Sequence, residues 1–341
     1  MYMKKISLIL LLLVTYFTTF SQEGVPVYSD YLSDNLYLIH PSMAGASVSP
    51  KLRLTARKQW FNQENAPNVQ TLTFNGPVGD HVGLGAILYH DKNGYHSQTG
   101  GYLSFAYHLL FSRSRADMSQ LSFGLSAGLI QNRLDETEFD LTDFDPVIAG
   151  IIQSSSYFNV DVGASYNFLN FSSHFTVKNL IFQNRKLYDE GIEPNNQRNY
   201  LLSMAYAVQS RKTPWTFVPS FLFQWKERTG EQSIDINFKA YRSMDFGRLW
   251  AALSYRRSFD GAEYLDGSSI ESQKLQYITP IIGANYNNFM LAYTYSYQTG
   301  SVTYGSGGFH QITLGYNILE GKIRTWHQDM RYNGTLTPAQ N

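Results

Sequence analysis

The stretch QLSFGLSAGLI, residues 120–130, decides the fold class of this chain. Every second residue is apolar and the residues between are small or polar, so a strand here has two chemically different faces. The apolar positions are Leu121, Phe123, Leu125, Ala127 and Leu129, and they alternate with Ser122, Gly124, Ser126 and Gly128. A soluble sandwich buries its apolar face, whereas a transmembrane β-barrel turns that face to lipid and encloses the polar one. The pattern returns about a dozen more times along the chain, which favours the barrel.

The repeated pattern predicts about fourteen strands separated by turn-forming residues. They cover residues 51–60, 69–76, 81–90, 95–110, 118–131, 157–168, 171–179, 197–209, 215–226, 232–241, 248–258, 274–286, 289–298 and 309–317. The expected fold class is therefore all-β, a transmembrane antiparallel up-and-down β-barrel of about 14 strands.

The connections between these strands fall into two length classes. An even strand number puts both chain ends on one side, where a membrane barrel has its short turns, and the long loops lie outside. The short turns are 77–80, 112–117, 169–170, 210–214, 242–247 and 287–288, and the long loops include 132–156, 180–196 and 259–273. We therefore predict that both termini are periplasmic and that the long loops face the cell surface.

The N-terminus has the pattern of an export signal. Lys4 and Lys5 precede an apolar run over 6–20, and Ser21 supplies a small residue before a cut that leaves Gln22 first. The run is short for a spanning helix, although a retained membrane anchor is the alternative. The predicted organisation is a signal peptide over 1–21, a periplasmic or lumenal aromatic leader over 22–50, the barrel over 51–317 and a tail over 318–341, periplasmic or folded back into the lumen.

Composition narrows the class of protein. The chain has no cysteine, which excludes a cysteine-linked lipoprotein anchor, disulfide bonds and thiolate sites. The formal charge is zero, and about −2 once the signal and its two lysines are removed, so neither nucleic acid nor a strongly acidic partner is implied. Aromatic residues make up 15% of the chain, as expected for rings at lipid head-group level. Near strand ends, Trp60, Trp225 and Trp250 are predicted interface anchors.

Charged residues within the predicted strands indicate the lumen face. Asp235 and Lys239 alternate with apolar neighbours, and a charge on a lipid face costs several kcal/mol at mid-membrane. The candidate lumen charges are Arg53, Arg57, Asp161, Asp235 and Lys239. Arg53 and Arg57 share a face with Gln59. Either Asp161 or Asp235 balances them, or they form a positive wall that holds the folded-back leader or a cargo segment.

One predicted outside loop is strongly acidic. Its carboxylates are Asp135, Glu136, Glu138, Asp140, Asp143 and Asp145. Hard oxygen donors at this density are able to bind Ca²⁺, but the spacing is not that of an EF-hand. The simpler interpretation is a solvated loop; the functional one is a cargo-facing surface.

The segment Gly124-Leu125-Ser126-Ala127-Gly128 matches the G-x-S-x-G pattern of serine hydrolases. That chemistry needs a sharp strand-to-helix turn, whereas this segment lies within a predicted strand. A barrel hydrolase would pair Ser126 with His90, His108 or His174. The histidines lack metal-site spacing, and 305–308 lacks the lysine of a phosphate loop. We therefore predict no enzyme, no cofactor and no metal.

The leader and first strand carry a recognisable series of residues: Tyr28, Tyr31, Asn35, Pro41, Gly45, Arg57, Gln59, Trp60 and Pro67. This series resembles the PorP/SprF family of Bacteroidetes outer-membrane proteins, which work with the type IX secretion system. The chain departs from the family pattern at His40, where asparagine is usual, and in having Ser42 and Met43 before Ala44. The resemblance covers about the first seventy mature residues; the rest matches in strand number and spacing.

The resemblance implies a non-catalytic barrel that exports or anchors a specific large surface protein, often an adhesin, through its C-terminal sorting domain. Some family members serve gliding motility. The implied partners are this cargo, type IX secretion or periplasmic peptidoglycan-associated components, and outer-membrane lipid. A passive channel for small solutes or fatty acids and a lipid hydrolase that uses Ser126 are the alternatives.

Overall fold

The computed structural model describes residues 29–47, 49–59, 66–111, 119–137, 150–183, 196–209, 213–266, 269–300 and 308–318. These residues form a closed antiparallel barrel with a short N-terminal segment inside it. The predicted fold class is confirmed. The predicted signal peptide and nearly all of the tail lie outside the described residues.

The barrel wall consists of fourteen strands, one of which is divided in two, so that fifteen strand segments are numbered. In chain order they are β1 (Lys51–Gln59), β2 (Asn68–Pro77), β3 (Val82–Asn93), β4 (His96–Leu110), β5 (Ser119–Asp135), β6 (Ile152–Phe168), β7 (Phe171–Lys178), β8 (Asn199–Tyr206), β9 (Val208–Gln209), β10 (Trp215–Lys226), β11 (Gln232–Met244), β12 (Gly247–Asp266), β13 (Ser269–Tyr286), β14 (Phe289–Thr299) and β15 (Phe309–Asn317). β8 and β9 both pair with β10 and are two parts of one wall strand, interrupted at Ala207. Pairing of β1 with β15 closes the barrel, with Lys51 opposite Asn317.

The two faces of the wall have inverted polarity compared with a soluble protein. On β5, Leu129 is 66% exposed and faces outward, whereas Ser126 is only 3% exposed and faces the lumen. The same inversion holds on the other strands, where outward leucines, isoleucines and phenylalanines are exposed. Since such a surface is unstable in water, it is suited to contact with hydrocarbon.

One predicted loop is largely a strand pair. Residues 259–273 were expected as an outside loop, but β12 continues to Asp266 and β13 begins at Ser269. The pairing of these strands shifts register between Arg257 and Gly261. The alternating pattern fades in this part because the hairpin extends past the apolar belt, where neither face needs to be apolar, while backbone pairing continues.

The N-terminal segment inside the barrel, residues 29–47, is called the plug below. It contains three 3₁₀ turns, Asp30–Leu32, Leu36–Leu38 and Pro41–Met43, and most of its side chains are buried. No helix in the described part of the chain has the length and apolar character needed to span a membrane.

Candidate functional site

The plug runs along the lumen from one end of the barrel to the other. We call the end that carries Lys51 and Asn317 the terminal rim, and the opposite end, which carries Gln59 and Phe309, the far rim. Ser29 lies toward the far rim, where it lines a chamber with Gln59 and Phe309. Pro50, which immediately precedes β1, lies at the terminal rim. The plug therefore occupies the lumen lengthwise.

Strand β11 provides a charged anchor for the plug. The Lys239 ammonium forms an ion pair with Asp34 and donates a hydrogen bond to the Leu32 carbonyl oxygen at 2.8 Å. The Tyr241 hydroxyl donates to Asp34 Oδ1 at 2.7 Å. Burial raises the pKa of the Asp34 carboxyl, but Lys239 and Tyr241 lower it more, and the resulting pKa is about 2. Asp34 is therefore ionised at neutral pH.

A second anchor on β11 involves the plug residue Tyr31. Its hydroxyl donates to Asp235 Oδ2 at 2.9 Å and accepts a hydrogen bond from Asn237 Nδ2 at 3.1 Å. Arg256 on β12 holds Asp235 with two hydrogen bonds, from Nε at 2.6 Å and from Nη2 at 2.7 Å. The carboxylate is thus oriented toward Tyr31 by the wall itself.

His40 forms a third anchor, on strands β7 and β8. Its Nδ1 hydrogen-bonds with Thr176 Oγ1 at 2.8 Å, and its Nε2 with Ser203 Oγ at 2.7 Å. Burial, with His174 and Lys178 nearby, holds the pKa of His40 well below its usual value. A neutral imidazole carries one donor and one acceptor nitrogen, which matches the two hydroxyl partners.

Further polar contacts tie the plug around the barrel. They join Asn35 to Thr73, Tyr37 to Ser104, Ser42 to Ser165, the Gly45 amide to Asn75, and His108 to the Ala44 carbonyl oxygen. Together with the anchors above, these contacts involve strands β2, β4, β6, β7, β8 and β11. Because the contacts come from many sides of the wall, the plug is an integral part of the fold.

Glycines on the lumen face give the plug backbone room. A Cβ on Gly83 would lie 1.9 Å from the Ala44 carbonyl oxygen, and one on Gly124 would lie 2.1 Å from the Ser42 nitrogen. Gly45 in the plug itself has φ +63, a conformation that favours glycine. The small residues of the 120–130 stretch therefore have a packing role that the sequence pattern did not reveal.

The predicted lumen charges all lie on the inner face and are buried. Neither Asp161 nor Asp235 balances Arg53 or Arg57, and Arg57 instead lies beside the folded-back leader. Arg57 lies 4.0 Å from the plug carboxylate of Asp30, and its guanidinium stacks 3.8 Å from the Phe309 ring centroid. Arg53 donates to Asn317 Oδ1 at 3.0 Å. Charge is thus balanced across the plug–wall contact, which the wall sequence alone does not show.

The two acids expected to balance these arginines have other partners. Asp235 forms its ion pair with Arg256, as described above. Asp161 Oδ1 accepts a hydrogen bond from the backbone amide of Asn179 at 2.8 Å. Strand register explains both results. Asp235 is directly opposite Arg256 on the neighbouring strand, and Asp161 lies beside the end of β7.

The series of family-like residues is split between plug and wall. Tyr31, Asn35, Pro41 and Gly45 belong to the plug, and Arg57 and Gln59 to β1. The backbone amide of Gln59 donates a hydrogen bond to the Pro67 carbonyl oxygen at 2.9 Å, next to the far rim. Tyr28 and Trp60 lie outside the described residues. The structure thus brings the described members of the series to the plug and its wall.

Of the acidic loop, only Asp135 and Glu136 are described; Glu138, Asp140, Asp143 and Asp145 lie outside the described residues. Asp135 Oδ1 accepts a hydrogen bond from the Thr137 amide at 3.3 Å. The Glu136 carboxylate accepts from the Gly150 amide at 3.1 Å and from Gln153 at 2.7 Å. Within the described residues no cluster suited to a metal ion is found.

Ser126 lies in the interior of β5 and not at a strand-to-helix turn. Its hydroxyl hydrogen-bonds with Ser104 Oγ at 2.6 Å, and Ser104 in turn contacts Tyr37 of the plug. The three histidines considered as its partners bind other hydroxyls: His90 contacts Thr99, His108 contacts Ser122 and His174 contacts Ser165. The described geometry thus places Ser126 in a hydrogen-bond chain that leads to the plug.

The prediction for Trp250 is wrong. Its side chain is buried inside the lumen, donates to Asn285 Oδ1 at 2.9 Å and lies 3.9 Å from the Lys239 ammonium. Trp225 is 37% exposed and stacks on Tyr200, whereas Trp60 lies outside the described residues. A tryptophan near a strand end faces either lipid or lumen, and only its place in the alternation decides which.

Cavities lie toward both ends of the plug. The far chamber, of about 510 Å³, lies toward the far rim and includes Arg57, Gln59, Arg256, Tyr277 and Phe309 in its wall. A smaller cavity, of about 110 Å³, lies between the plug and the wall toward the terminal rim. The far chamber has the size and mixed polarity to receive an extended polar or aromatic segment.

Comparison with known proteins gives one family match. The family described as type IX secretion system membrane protein PorP/SprF matches residues 20–316. No curated protein sequence shows a significant match.

Several solved structures resemble the chain at low identity. CdiB from Acinetobacter baumannii is 9% identical with a TM-score of 0.39, and the match covers 79% of this chain and 60% of that chain. The Salmonella typhi OmpF complex with daunomycin is 10% identical with a TM-score of 0.37, covering 79% and 96%. The TodX monoaromatic hydrocarbon channel deltaS2 mutant is 9% identical with a TM-score of 0.49, covering 82% and 92%. The chain thus spans less than two thirds of the CdiB chain.

Proposed function

Because this chain belongs to the PorP/SprF family of type IX secretion system membrane proteins, we propose that it binds and anchors a specific large surface protein as a non-catalytic outer-membrane barrel. The cargo would be an adhesin-like protein that the barrel recognises through its C-terminal sorting domain. Gliding motility is one process that such a cargo would serve. The observation that carries this proposal is the plug, which fills the middle of the lumen and leaves the far chamber open for a binding partner.

The plug argues against the passive channel. It is held by a buried ion pair, Lys239 with Asp34, and by polar contacts with six strands. Buried charge pairs are costly to break, so the plug is expected to stay in the lumen and to narrow any solute path. This supports a binding role over conduction.

The proposed orientation has the terminal rim in the periplasm and the far rim at the cell surface. The described terminal-rim turns are short, such as Leu169-Asn170, Asp245-Phe246 and Asn287-Asn288, as is usual for periplasmic turns. The far rim carries the β5–β6 connection, the β7–β8 connection and the β12–β13 hairpin. We propose that these form the docking surface for the sorting domain, and that terminal-rim elements face secretion or peptidoglycan-associated components.

The test is recovery of cargo with a tagged barrel from native outer membranes. In one variant, residues 262–272 at the tip of the β12–β13 hairpin are replaced by a two-residue Asn-Gly turn. The matched control replaces Asp245 and Phe246, the terminal-rim turn between β11 and β12, by Asn-Gly. We expect the tip variant to recover at least tenfold less of a large co-purifying surface protein than the wild-type barrel does. The control variant should recover as much as the wild type.

Equal recovery from both variants would overturn the assignment of the hairpin. Recovery of the barrel alone from wild-type membranes, together with ion conductance in planar bilayers, would instead support the passive channel.

A further inference from the structure

The cavity at the terminal rim exposes apolar surface of the plug. Its lining includes the plug residues Leu36 and Met43, both only partly buried, and the wall residues Ala205 and Val218. Lys51 and Asn75, cross-strand partners at the rim itself, also line it. Apolar side chains that face an aqueous opening favour an apolar occupant.

The size of this cavity limits what fits. A cavity of roughly 150 Å³ holds one benzene molecule, and this one is about 110 Å³. It therefore suits one large apolar side chain rather than a lipid acyl chain.

The chain leaves the wall next to this cavity. After β15 the Ile318 amide donates a hydrogen bond to the Pro50 carbonyl oxygen at 2.8 Å, and Pro50 adjoins Lys51 of the cavity lining. Any segment that follows Ile318 is thus tethered at the rim, with a high effective concentration at the cavity.

The sequence that follows has a suitable apolar stripe. In LEGKIRTWHQDM, residues 319–330, the large apolar residues are Leu319, Ile323, Trp326 and Met330. Their steps of four, three and four residues correspond to one face of a helix, and polar residues occupy the other positions. A segment of this pattern needs an apolar surface to form a stable helix.

We propose that residues 319–330 dock on the terminal rim and place Ile323 or Trp326 in the cavity beneath the plug. The tail then braces the plug from its terminal side, so that the plug is held both by the wall and by the chain end. This inference is independent of cargo binding, because it concerns the opposite rim.

The test is cysteine cross-linking in the full-length barrel. The natural chain has no cysteine, so each engineered pair is free of background. Met43→Cys is combined with Ile323→Cys or with Trp326→Cys, and the barrel in liposomes is oxidised mildly. Lys51→Cys with Asn317→Cys, neighbours in the wall, is the positive control. Leu84→Cys, whose site faces outward, replaces Met43→Cys in the negative control.

We expect an intramolecular disulfide for at least one Met43 pair, at a yield at least tenfold above the negative control. Absence of that band while the positive control forms would overturn the proposal. A cross-link of dimer size would also overturn it, because the occupant would then come from a second copy.

A second measurement uses Met43→Cys alone. Deletion of 319–341 should raise its labelling rate by a membrane-impermeant maleimide at least fivefold, since the thiol at position 43 would no longer pack against the proposed occupant. Heat-modifiable migration in gels verifies that the truncated barrel is folded. An unchanged rate in a folded, truncated barrel would contradict docking of the tail.

Discussion

The hydroxyl of Tyr31 donates a hydrogen bond to Asp235 across 2.9 Å, although 204 positions separate the two residues in the chain. Asp235 is held in place by two hydrogen bonds from Arg256 on the neighbouring strand. A wall residue, Arg256, therefore orients the carboxylate that binds the plug. The barrel and its N-terminal segment therefore form one folded unit.

The buried pair of Asp34 and Lys239 should dominate plug stability. Asp34→Asn leaves the Lys239 ammonium buried without its counter-charge, and we expect a loss of about 3–5 kcal/mol in the free energy of plug unfolding. The measurement is ion conductance in planar bilayers, which should rise as the plug leaves the lumen.

The matched control for that variant is Glu231→Gln. Glu231 pairs with Lys226 at 2.6 Å in a half-exposed turn, and such pairs contribute at most about 1 kcal/mol. If both variants conduct equally, the buried ion pair does not hold the plug.

Acid should release the plug through Asp34. The pKa of this carboxyl is about 2, below its ordinary value of about 4, so its contribution to stability is complete above pH 4 and is lost as the pH falls toward 2. We expect proteolysis of the plug by an acid protease to increase over that window. Asp34→Asn should remove the window; an unchanged profile in this variant would assign the acid response to other groups.

Lumen glycines should not tolerate a side chain. Gly124→Ala would place a methyl group 2.1 Å from the Ser42 nitrogen, and we expect destabilisation of about 1–3 kcal/mol, seen as a lower thermal midpoint. Gly101→Ala is the control, because its added carbon meets the flexible end of Leu88 at 3.0 Å. Equal thermal midpoints for the two variants would show that the plug backbone shifts to accommodate the added methyl group at Gly124.

The outward face should behave as a lipid contact. Leu129→Arg puts a charge where the side chain is 66% exposed, and we expect folding into liposomes to weaken by about 2–4 kcal/mol. Gln131→Arg, two residues further along the same exposed face, should cost about 1 kcal/mol or less. Folding yield follows from heat-modifiable migration. Similar losses for both variants would place the edge of the apolar belt elsewhere.

Ser126 should act through packing and not through chemistry. Ser126→Ala removes a hydrogen bond with Ser104, and we expect a loss of about 1 kcal/mol in stability. Any ester hydrolysis by the purified barrel should be the same before and after the change. A hydrolytic activity that disappears with Ser126→Ala, in a barrel that still folds, would revive the hydrolase alternative.

The strands and their faces follow from the sequence because alternation is a local property. Leu129 and Ser126 point to opposite sides whatever their neighbours are. Trp250 shows the limit of a rule based on residue type, since its place between Leu249 and Ala251 turns it inward against the expectation for a tryptophan. The 259–273 segment shows the other limit, since pairing continued there after the alternating pattern had faded.

The sequence by itself determined the barrel, its strand number, its two faces and its family. Only the tertiary structure decided that the lumen is filled by residues 29–47, that Asp30 and Asp34 lie beside Arg57 and Lys239, and that Gly83 and Gly124 meet the plug backbone. The physical reason is that side-chain alternation depends on adjacent residues, whereas these contacts depend on barrel closure and strand register. Closure brings together groups that are up to two hundred positions apart, and no local pattern encodes which of them will meet.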